Sequence, residues 1–295
     1  MFKGTYTALV TPFDKEGAVV KDQLSRIIEE QIAQGITGIV PMGSTGESPT
    51  MSHLEHAEVI KMVIEMTKGR TQVIAGTGSN ATVEAISLTK QAKEMGADAS
   101  LQVSPYYNKP NQEGLYRHFM TIADSVEIPL IIYNIPGRTG RNIEVETLLR
   151  LAEHPNIVGV KEASGDINQI FEIIRQAPED FSVISGDDGL TVPLVLMGGH
   201  GVISVTSNIA PKTMGRLVEM ALQGEVENAR EEHYRLTPLF KALFCEINPT
   251  PIKAAMAYMG YMEPNYRLPL APPAPANQAL LEKTLKDYGF TNKML

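Results

Sequence analysis

A lysine at the end of an apolar run is the residue of this sequence with the most specific chemistry. Lys161 follows the apolar residues 157–160, so its stem would rise from surroundings that exclude water. A neutral lysine amine forms imines with carbonyl compounds, but at the usual pKa of about 10.4 its deprotonation at pH 7 costs roughly 4.6 kcal/mol. Burial lowers that pKa, which favours a nucleophilic role. The alternative is a strand-end lysine that reaches solvent or pairs with an acid.

A tyrosine and a hydroxyl-rich turn are candidate partners for this lysine. Tyr133 ends the preceding apolar run, where its phenol could move protons to and from a carbinolamine. A core aromatic residue bonded to the main chain is the alternative. The tight turn Gly43–Glu47 offers main-chain amides and the hydroxyls of Ser44 and Thr45, which suit a small carboxylate. A plain connection between a strand and a helix is the other interpretation of this turn.

Other motifs give weaker signals. Residues 76–81 resemble a dinucleotide-binding fingerprint, but the acid about 20 residues further on, Asp98, precedes the next apolar run instead of ending it. No phosphate-binding loop of the G-x-x-x-x-G-K-S/T type, no H-E-x-x-H and no G-x-S-x-G occur. His53 and His56 would need a third ligand to bind a metal, so we expect no metal site. Both histidines are predicted to be solvated on their helix, with a small-molecule pocket as the alternative.

The elements that would position these residues repeat along the chain. Eight apolar runs, nearly continuous and rich in valine and isoleucine, are typical of parallel strands covered on both faces. Helical periodicity fills the intervals; for example, Ser52 and Glu55 form a capping box before an apolar stripe that stops at Gly69. The runs are Tyr6–Thr11, Gly38–Met42, Thr71–Ala75, Ser100–Val103, Pro129–Tyr133, Ile157–Lys161, Phe181–Ser185 and Gly201–Thr206.

Alternating strands and helices in this number predict an α/β fold, a (β/α)8 TIM barrel, which we favour over an open doubly wound sheet. Functional groups of such a barrel lie at the carboxyl ends of its strands, where Lys161, Tyr133 and the Gly43–Glu47 turn would converge. After residue 224 the strand pattern stops, and helices are predicted at Glu225–Phe244, Pro251–Gly260 and Pro275–Tyr288. The sequence thus predicts a barrel domain over 1–224 and a C-terminal helical domain over 225–295.

Composition excludes several classes of protein. The 295 residues are 43% hydrophobic and 20% charged, which is ordinary for a globular enzyme. A net charge of −8 without long basic runs makes a nucleic-acid partner unexpected. No membrane partner is expected either, because no apolar stretch approaches the roughly 18 residues that span a bilayer. The single cysteine, Cys245, and a start without a secretion-signal pattern predict a cytoplasmic protein.

Five separated motifs resemble those of one enzyme family. With residues 199–204 and the helical tail, they are similar to the dihydrodipicolinate synthase / N-acetylneuraminate lyase family of class I aldolases. The resemblance covers essentially the full chain, and the order of the motifs makes it highly specific. The motifs are Gly43–Glu47, Tyr106-Tyr107, Tyr133–Gly140, Lys161–Gly165 and Ser185–Asp188.

The resemblance implies a Schiff base between Lys161 and pyruvate, with no cofactor beyond that covalent imine. Tyr133, Thr45 (or its neighbour Ser44) and Tyr107 would form a proton relay, with Tyr107 supplied by an adjacent subunit. Members of the family are typically homotetramers built as dimers of dimers, so a homotetramer is expected. The substrate contacts implied by the resemblance are those of Thr45, Arg138, Gly186 and Ile203.

Arg138 bears on the identity of the second substrate. It follows residues 134–137 at the barrel mouth, where neuraminate lyases lack an arginine. The resemblance implies that it binds the carboxylate of L-aspartate-4-semialdehyde, and a guanidinium suits bidentate capture of such a group. Condensation of this aldehyde with pyruvate, a step of diaminopimelate and lysine biosynthesis, is therefore the expected lyase activity.

Ser44 departs from the pattern of the synthases, which usually have two threonines in this turn. A serine keeps the hydroxyl but is freer about χ1, so the Schiff-base chemistry is unaffected. One alternative is another pyruvate-dependent class I aldolase, such as an N-acetylneuraminate lyase or a keto-sugar-acid aldolase. A non-catalytic barrel kept as a binding protein is the other, and it fits poorly because every expected catalytic group is present.

Inhibition by lysine is a further expectation from the resemblance. Glu84 would face the α-ammonium of the amino acid, and Asn80 with Tyr106 its α-carboxylate. Ser48 and two histidines would face the side-chain amine, whereas a proline stands where such enzymes often have a small flexible residue. The positions that would form this effector site are Ser48, Pro49, His53, His56, Asn80, Glu84 and Tyr106.

Overall fold

Eight parallel strands close into a barrel in the computed structural model, which describes residues 1–291. Each strand pairs with its neighbours in chain order, and the last pairs with the first. Every predicted apolar run overlaps one of them, so the TIM barrel is confirmed. The strands are β1 (Gly4–Ala8), β2 (Gly38–Val40), β3 (Gln72–Gly76), β4 (Ala99–Val103), β5 (Leu130–Asn134), β6 (Ile157–Glu162), β7 (Ser182–Ser185) and β8 (Gly201–Ser204).

The first strand lies earlier in the chain than its apolar run predicts. Leu9 and Val10 are buried, but the amide of Val10 donates to the side chain of Asn208 and not to a strand. Thr11, expected to end the strand, instead donates its hydroxyl to a turn carbonyl, that of Gly46, at 2.8 Å. An apolar run marks burial rather than pairing, which is why this prediction is displaced.

Helices fill the intervals between the strands and cover the outside of the barrel. Ser52 caps the second of them by accepting a hydrogen bond from the amide of Glu55 at 3.3 Å, as the capping box predicts. The helices are α1 (Lys21–Ala33), α2 (His53–Thr67), α3 (Thr82–Met95), α4 (Gln112–Ser125), α5 (Pro136–Thr139), α6 (Val145–Leu151), α7 (Ile167–Gln176), α8 (Thr191–Leu196) and α9 (Pro211–Leu222).

Buried side chains form one group between the sheet and the helices and a smaller one inside the barrel. The inner group contains Tyr133, Ile184 and Ile203. Tyr133 on β5 is the register partner of Lys161 on β6. Paired residues of neighbouring parallel strands share a face, so both side chains project into the lumen.

Three helices follow the barrel: α10 (Val226–Leu243), α11 (Thr250–Tyr258) and α12 (Pro275–Asp287). Each lies within two residues of its predicted bounds, and α10 packs on α9 and α12. The division into domains at residue 224 stays a prediction, and the last four residues of the second domain lie outside the described part of the chain. Across residues 1–291, no helix combines the length and the apolar character that a bilayer crossing requires.

Candidate active site

Lys161 is a buried amine beside an aromatic ring near the carboxyl end of β6. Its side chain is 7% exposed, and its Nζ lies 4.1 Å from the centre of the Tyr133 ring. Burial lowers the pKa of Lys161 to about 7, while the nearby charges of Asp188 and Arg138 respectively raise and lower that pKa. About half of such amines are neutral at pH 7, as a nucleophile requires. The alternative of a lysine extended into solvent is therefore wrong.

Tyr133 is a buried phenol that keeps its proton near neutral pH. Burial raises the pKa of Tyr133 to about 12, whereas the charge of Arg138 and a hydrogen bond with the Ser44 side chain lower it. The phenol interacts with a side-chain hydroxyl of the Gly43–Glu47 turn, so it is more than a core aromatic tied to the main chain. A protonated phenol beside an amine can act first as a proton donor.

Gly186 leaves room for the stem of Lys161. A Cβ at this position would lie 3.0 Å from Lys161 Cε and 2.8 Å from the Cβ of Ala163, which is closer than side chains normally pack. Gly186 is partly exposed although Lys161 beside it is buried. The backbone at Gly186 therefore packs directly against the stem of Lys161.

The turn that carries the two predicted hydroxyls is a 3₁₀ turn over Ser44–Gly46. Thr11 holds it by donating a hydrogen bond to the carbonyl of Gly46. Asn248, from the segment before α11, donates its Nδ2 to the hydroxyl oxygen of Thr45 at 2.9 Å. The position of the Thr45 side chain thus depends on the C-terminal helices.

A buried ion pair holds the end of the same turn. Glu47 has a φ of 59°, and its carboxylate pairs with the ammonium of Lys253 on α11. Both side chains are fully buried. The Lys253 Nζ also lies 4.3 Å from the centre of the Phe13 ring. This pair ties the turn to the C-terminal helices at a second point.

Arg138 lies on the short helix α5, directly after β5, and is exposed at the mouth of the barrel. Its Nη2 donates a hydrogen bond to the main-chain carbonyl of Asn248 at 2.7 Å. This bond uses one of the five N–H donors of the guanidinium, and the others suit a carboxylate that arrives from solvent.

A cavity of about 440 Å³ lies against several of these groups. Ser44, Tyr133, Arg138 and Asn248 line it. Lys161 is not part of its wall and packs instead against the Tyr133 ring. Three of the four predicted substrate contacts do not line the cavity either: Thr45, Gly186 and Ile203.

Residues 1–288 match the sequence model of the dihydrodipicolinate synthetase family. The chain belongs to this family. A 4-hydroxy-tetrahydrodipicolinate synthase of Syntrophotalea carbinolica is 51% identical over 290 residues, which cover 98% of this chain and 99% of the relative. The crystal structure of dihydrodipicolinate synthase from Aquifex aeolicus is 47% identical and superposes with a TM-score of 0.97, covering 99% of this chain and 100% of the other. The resemblance found in the sequence is confirmed.

Three further dihydrodipicolinate synthase structures differ in their ligands or assembly. A chloride-inhibited enzyme from Acinetobacter baumannii, solved with pyruvate, is 46% identical, with a TM-score of 0.97 over 98% of this chain and 100% of that one. The enzyme from Cyanidioschyzon merolae has lysine bound; it is 41% identical, with a TM-score of 0.95 over 98% and 99% of the chains. A monomeric variant is 43% identical, with a TM-score of 0.95 over 98% and 97%.

Tyr107, which the family resemblance places in the proton relay, does not reach the site of its own chain. Its side chain is 90% exposed on a backbone with a φ of 72°, and it does not line the cavity. Tyr106 beside it is 38% exposed and does line the cavity. Within one chain, the predicted relay therefore contains Ser44 and Tyr133 but not Tyr107.

Most of the residues that are predicted to bind the effector lysine line the same cavity. Asn80 does not, and its Nδ2 donates to the main-chain carbonyl of Tyr106 at 3.1 Å. The residues of the predicted effector site that do are Ser48, Pro49, His53, His56, Glu84 and Tyr106. The predicted effector site and the mouth of the candidate active site are thus parts of one cavity.

The prediction of two solvated histidines is wrong for His56, which is 6% exposed. Its Nε2 lies 2.7 Å from the carbonyl of Gly76, and burial lowers the pKa of the ring. A carbonyl only accepts, so Nε2 carries the proton and Nδ1 is an acceptor. His53 is exposed as predicted, and its Nε2 lies 3.8 Å from the carboxylate of Glu84. In the described chain, no group of three or more His, Cys, Asp and Glu side chains could hold a metal ion.

Two buried polar residues near the site, Asn248 and Lys253, were not predicted from the sequence as functional, and Asp188 was named only as part of the motif Ser185–Asp188. Asp188 is 2% exposed, its Oδ2 accepts hydrogen bonds from the amide and hydroxyl of Thr206, and burial raises its pKa. Lys253 left a usable signal, because a single charge within the apolar helix α11 indicates a buried partner. The only sequence signal for Asn248 is the Asn-Pro pair that it forms with Pro249, which is typical of a turn.

Proposed function

We propose that this chain condenses pyruvate with L-aspartate-4-semialdehyde through an imine on Lys161. Relatives that are 51% and 50% identical over nearly their whole length are 4-hydroxy-tetrahydrodipicolinate synthases. The chain is an enzyme of this activity, a lyase of diaminopimelate and lysine biosynthesis. The observation that carries the imine is the buried amine of Lys161, with its pKa of about 7, against the Tyr133 ring.

The first half of the reaction joins pyruvate to the enzyme. The neutral amine of Lys161 attacks the keto carbon, and the resulting carbinolamine loses water after Tyr133 donates a proton to the departing hydroxyl. Ser44, whose side chain lowers the pKa of Tyr133 and lines the same cavity, continues the relay. Thr45, Gly186 and Ile203 contact the pyruvate, and the imine needs no further cofactor.

The second half builds the new carbon–carbon bond. Loss of a methyl proton converts the imine to an enamine, whose carbon attacks the aldehyde. The amino group of the second substrate then displaces Lys161 as the adduct cyclises, so the amine returns to its starting state. Arg138 binds the carboxylate of the aldehyde, which would disfavour the longer substrates of other aldolases in the family.

Arg138→Ala is expected to lower the efficiency with L-aspartate-4-semialdehyde by about two orders of magnitude, because a charge-assisted bidentate pair is lost. The mutant should still form the pyruvate imine. Efficiency is measured by steady-state kinetics and imine formation by borohydride trapping. Since Arg138 also lowers the pKa of Lys161, both measurements are made at pH 7 and above pH 8.

Arg141→Ala is the matched control, since Arg141 is an exposed arginine just after α5 whose Nε donates to the carbonyl of Lys109. It should behave as the wild type. Normal turnover by Arg138→Ala would place the carboxylate elsewhere and favour a different second substrate. Failure of the wild type with both substrates would contradict the proposed activity itself.

Lysine is the proposed effector, and the cavity residues support it. Glu84 accepts a hydrogen bond from Ser79 and faces His53, and it provides the charge for an α-ammonium. The Nδ1 of His56 is an acceptor next to the same space. The relative from Cyanidioschyzon merolae has lysine bound. Because the effector residues and Tyr133 share one cavity, bound lysine would act close to the relay.

Millimolar lysine is expected to inhibit the wild type, and Glu84→Ala should need at least about tenfold more, because a charge-assisted hydrogen bond is lost. Calorimetry and a lysine titration of the coupled assay measure binding and inhibition. Glu94→Ala, an exposed acid of the same helix, is the control. Absence of both binding and inhibition would remove the effector, and equal inhibition of Glu84→Ala would show that the site is misplaced.

A homotetramer with Tyr107 entering a neighbouring site is the proposed assembly. Tyr107 is 90% exposed, and Leu54 and Val83, at the starts of α2 and α3, are 84% and 76% exposed. Exposed apolar side chains of this size are typical of an interface. The single cysteine, Cys245, fits a reducing cytoplasm.

A further inference from the structure

Asn248 joins the two halves of the candidate active site. It lies between α10 and α11 and is 6% exposed. Its side-chain Nδ2 donates to the hydroxyl of Thr45 at 2.9 Å, and its main-chain carbonyl accepts from Arg138 at 2.7 Å. We propose that Asn248 is a positioning residue that orients the Thr45 hydroxyl for pyruvate; this inference rests on the proposed function.

The direction of the bond to Thr45 sets what its hydroxyl can do. An amide N–H only donates, so the Thr45 oxygen is the acceptor of this bond. A hydroxyl carries a single hydrogen, and that hydrogen is then left to point away from Asn248. Thr45 can therefore donate to the carboxylate of pyruvate, without first turning its hydroxyl away from a competing acceptor.

Burial limits the hydrogen-bond partners that are available to Thr45 and Asn248. Thr45 is 3% exposed, so few waters compete for its hydroxyl. The Asn248 Oδ1 is buried without a hydrogen-bond partner among the described residues, which is an uncommon and costly state for an amide oxygen. A residue chosen for packing alone would be apolar here. The retained amide is explained by the bond that it donates to Thr45.

A substitution of the Asn248 side chain would remove only one of its two contacts. The bond to Arg138 uses the main chain and survives any change of side chain, whereas the bond to Thr45 does not. A side-chain variant should therefore weaken pyruvate binding and leave the affinity for the aldehyde nearly unchanged. A general loosening of the C-terminal helices would weaken both.

Asn248→Leu, Thr45→Val and the double variant form the test. The pyruvate concentration that gives half-maximal borohydride trapping is measured for each, together with the KM for both substrates. Asn248→Leu is expected to raise the pyruvate values about tenfold, the scale of one hydrogen bond. In the Thr45→Val background it should add nothing, because Asn248 acts through that hydroxyl.

Asn248→Asp tests the direction of the bond. A carboxylate only accepts, so Thr45 would donate its hydrogen to the new side chain and lose it for pyruvate. This nearly isosteric variant should therefore bind pyruvate less well than Asn248→Leu does, whereas a packing role predicts the reverse order. Thermal unfolding of each variant separates these effects from loss of the fold.

Asn265→Leu is the matched control, because Asn265 also belongs to the C-terminal segment but donates to the carbonyl of Phe13, at 3.0 Å. It should leave pyruvate binding unchanged. The proposal is overturned if Asn248→Leu leaves the pyruvate values within twofold of the wild type, or if its effect is fully additive with Thr45→Val. Failure of the wild type to trap pyruvate would instead overturn the proposed function.

Discussion

Borohydride reduction in the presence of pyruvate is expected to attach a reduced pyruvyl group to Lys161, and Lys161→Ala is expected to lose both the adduct and nearly all turnover. Removal of the nucleophile closes the covalent route, so kcat should fall by at least about three orders of magnitude. Intact mass and peptide mapping locate the adduct. Trapping at low pyruvate should also become faster as the pH rises through about 7, since only the neutral amine attacks.

Lys109→Ala is the control for this experiment. Lys109 lies in the loop after β4 at the same end of the barrel, but its side chain is exposed to solvent. The variant should trap pyruvate as the wild type does. An intact mass that does not change when the wild type is treated would remove the imine mechanism altogether.

Lys253→Met is expected to reduce the free energy of unfolding by about 3–5 kcal/mol, because it leaves the buried carboxylate of Glu47 without its cation. The main-chain amide of Arg267, 3.4 Å from that carboxylate, is too distant to replace it. Activity should fall as well, since Glu47 ends the turn that presents Ser44 and Thr45. Chemical denaturation gives the stability change, and kcat is measured under conditions where the variant is folded.

Two comparisons isolate the buried pair. The double variant Glu47→Gln, Lys253→Met should recover much of the lost stability, because no uncompensated charge stays buried. Lys283→Met removes one partner of an exposed pair with Asp287, and it should change the stability by at most about 0.5 kcal/mol. A loss below about 1 kcal/mol for Lys253→Met alone would contradict a structural role for the pair.

Local patterns in the sequence were sufficient to predict the fold and to single out Lys161 as the candidate nucleophile. Continuous valine- and isoleucine-rich runs indicate buried parallel strands. The side chain of a lysine at the end of such a run therefore begins in an apolar environment, which lowers its pKa. The capping box before α2 is a contact between residues three apart and is correctly predicted. The end of β1 is not, because the burial of Val10, whose amide donates to the side chain of Asn208, has the same sequence signature as strand pairing.

The exposure of individual side chains depended on the packing of distant elements. His53 and His56 are one helical turn apart on α2, yet one is exposed and the other is buried with its Nε2 near the carbonyl of Gly76 on β3. Tyr106 and Tyr107 are adjacent, but only Tyr106 lines the cavity. The two members of each pair are of the same residue type and lie close together in the chain. The sequence therefore could not show which of them is buried or faces the cavity.

By itself, the sequence determined the barrel, the strand-end lysine and the tyrosine beside it, because each follows from residues close together in the chain. Only the tertiary structure decided how the Gly43–Glu47 turn is held. Asn248 contacts Thr45 across 203 residues, and Lys253 contacts Glu47 across 206. Partners so far apart leave no periodic or local pattern, and they come together only when the closed barrel brings its C-terminal helices against the loop after β2.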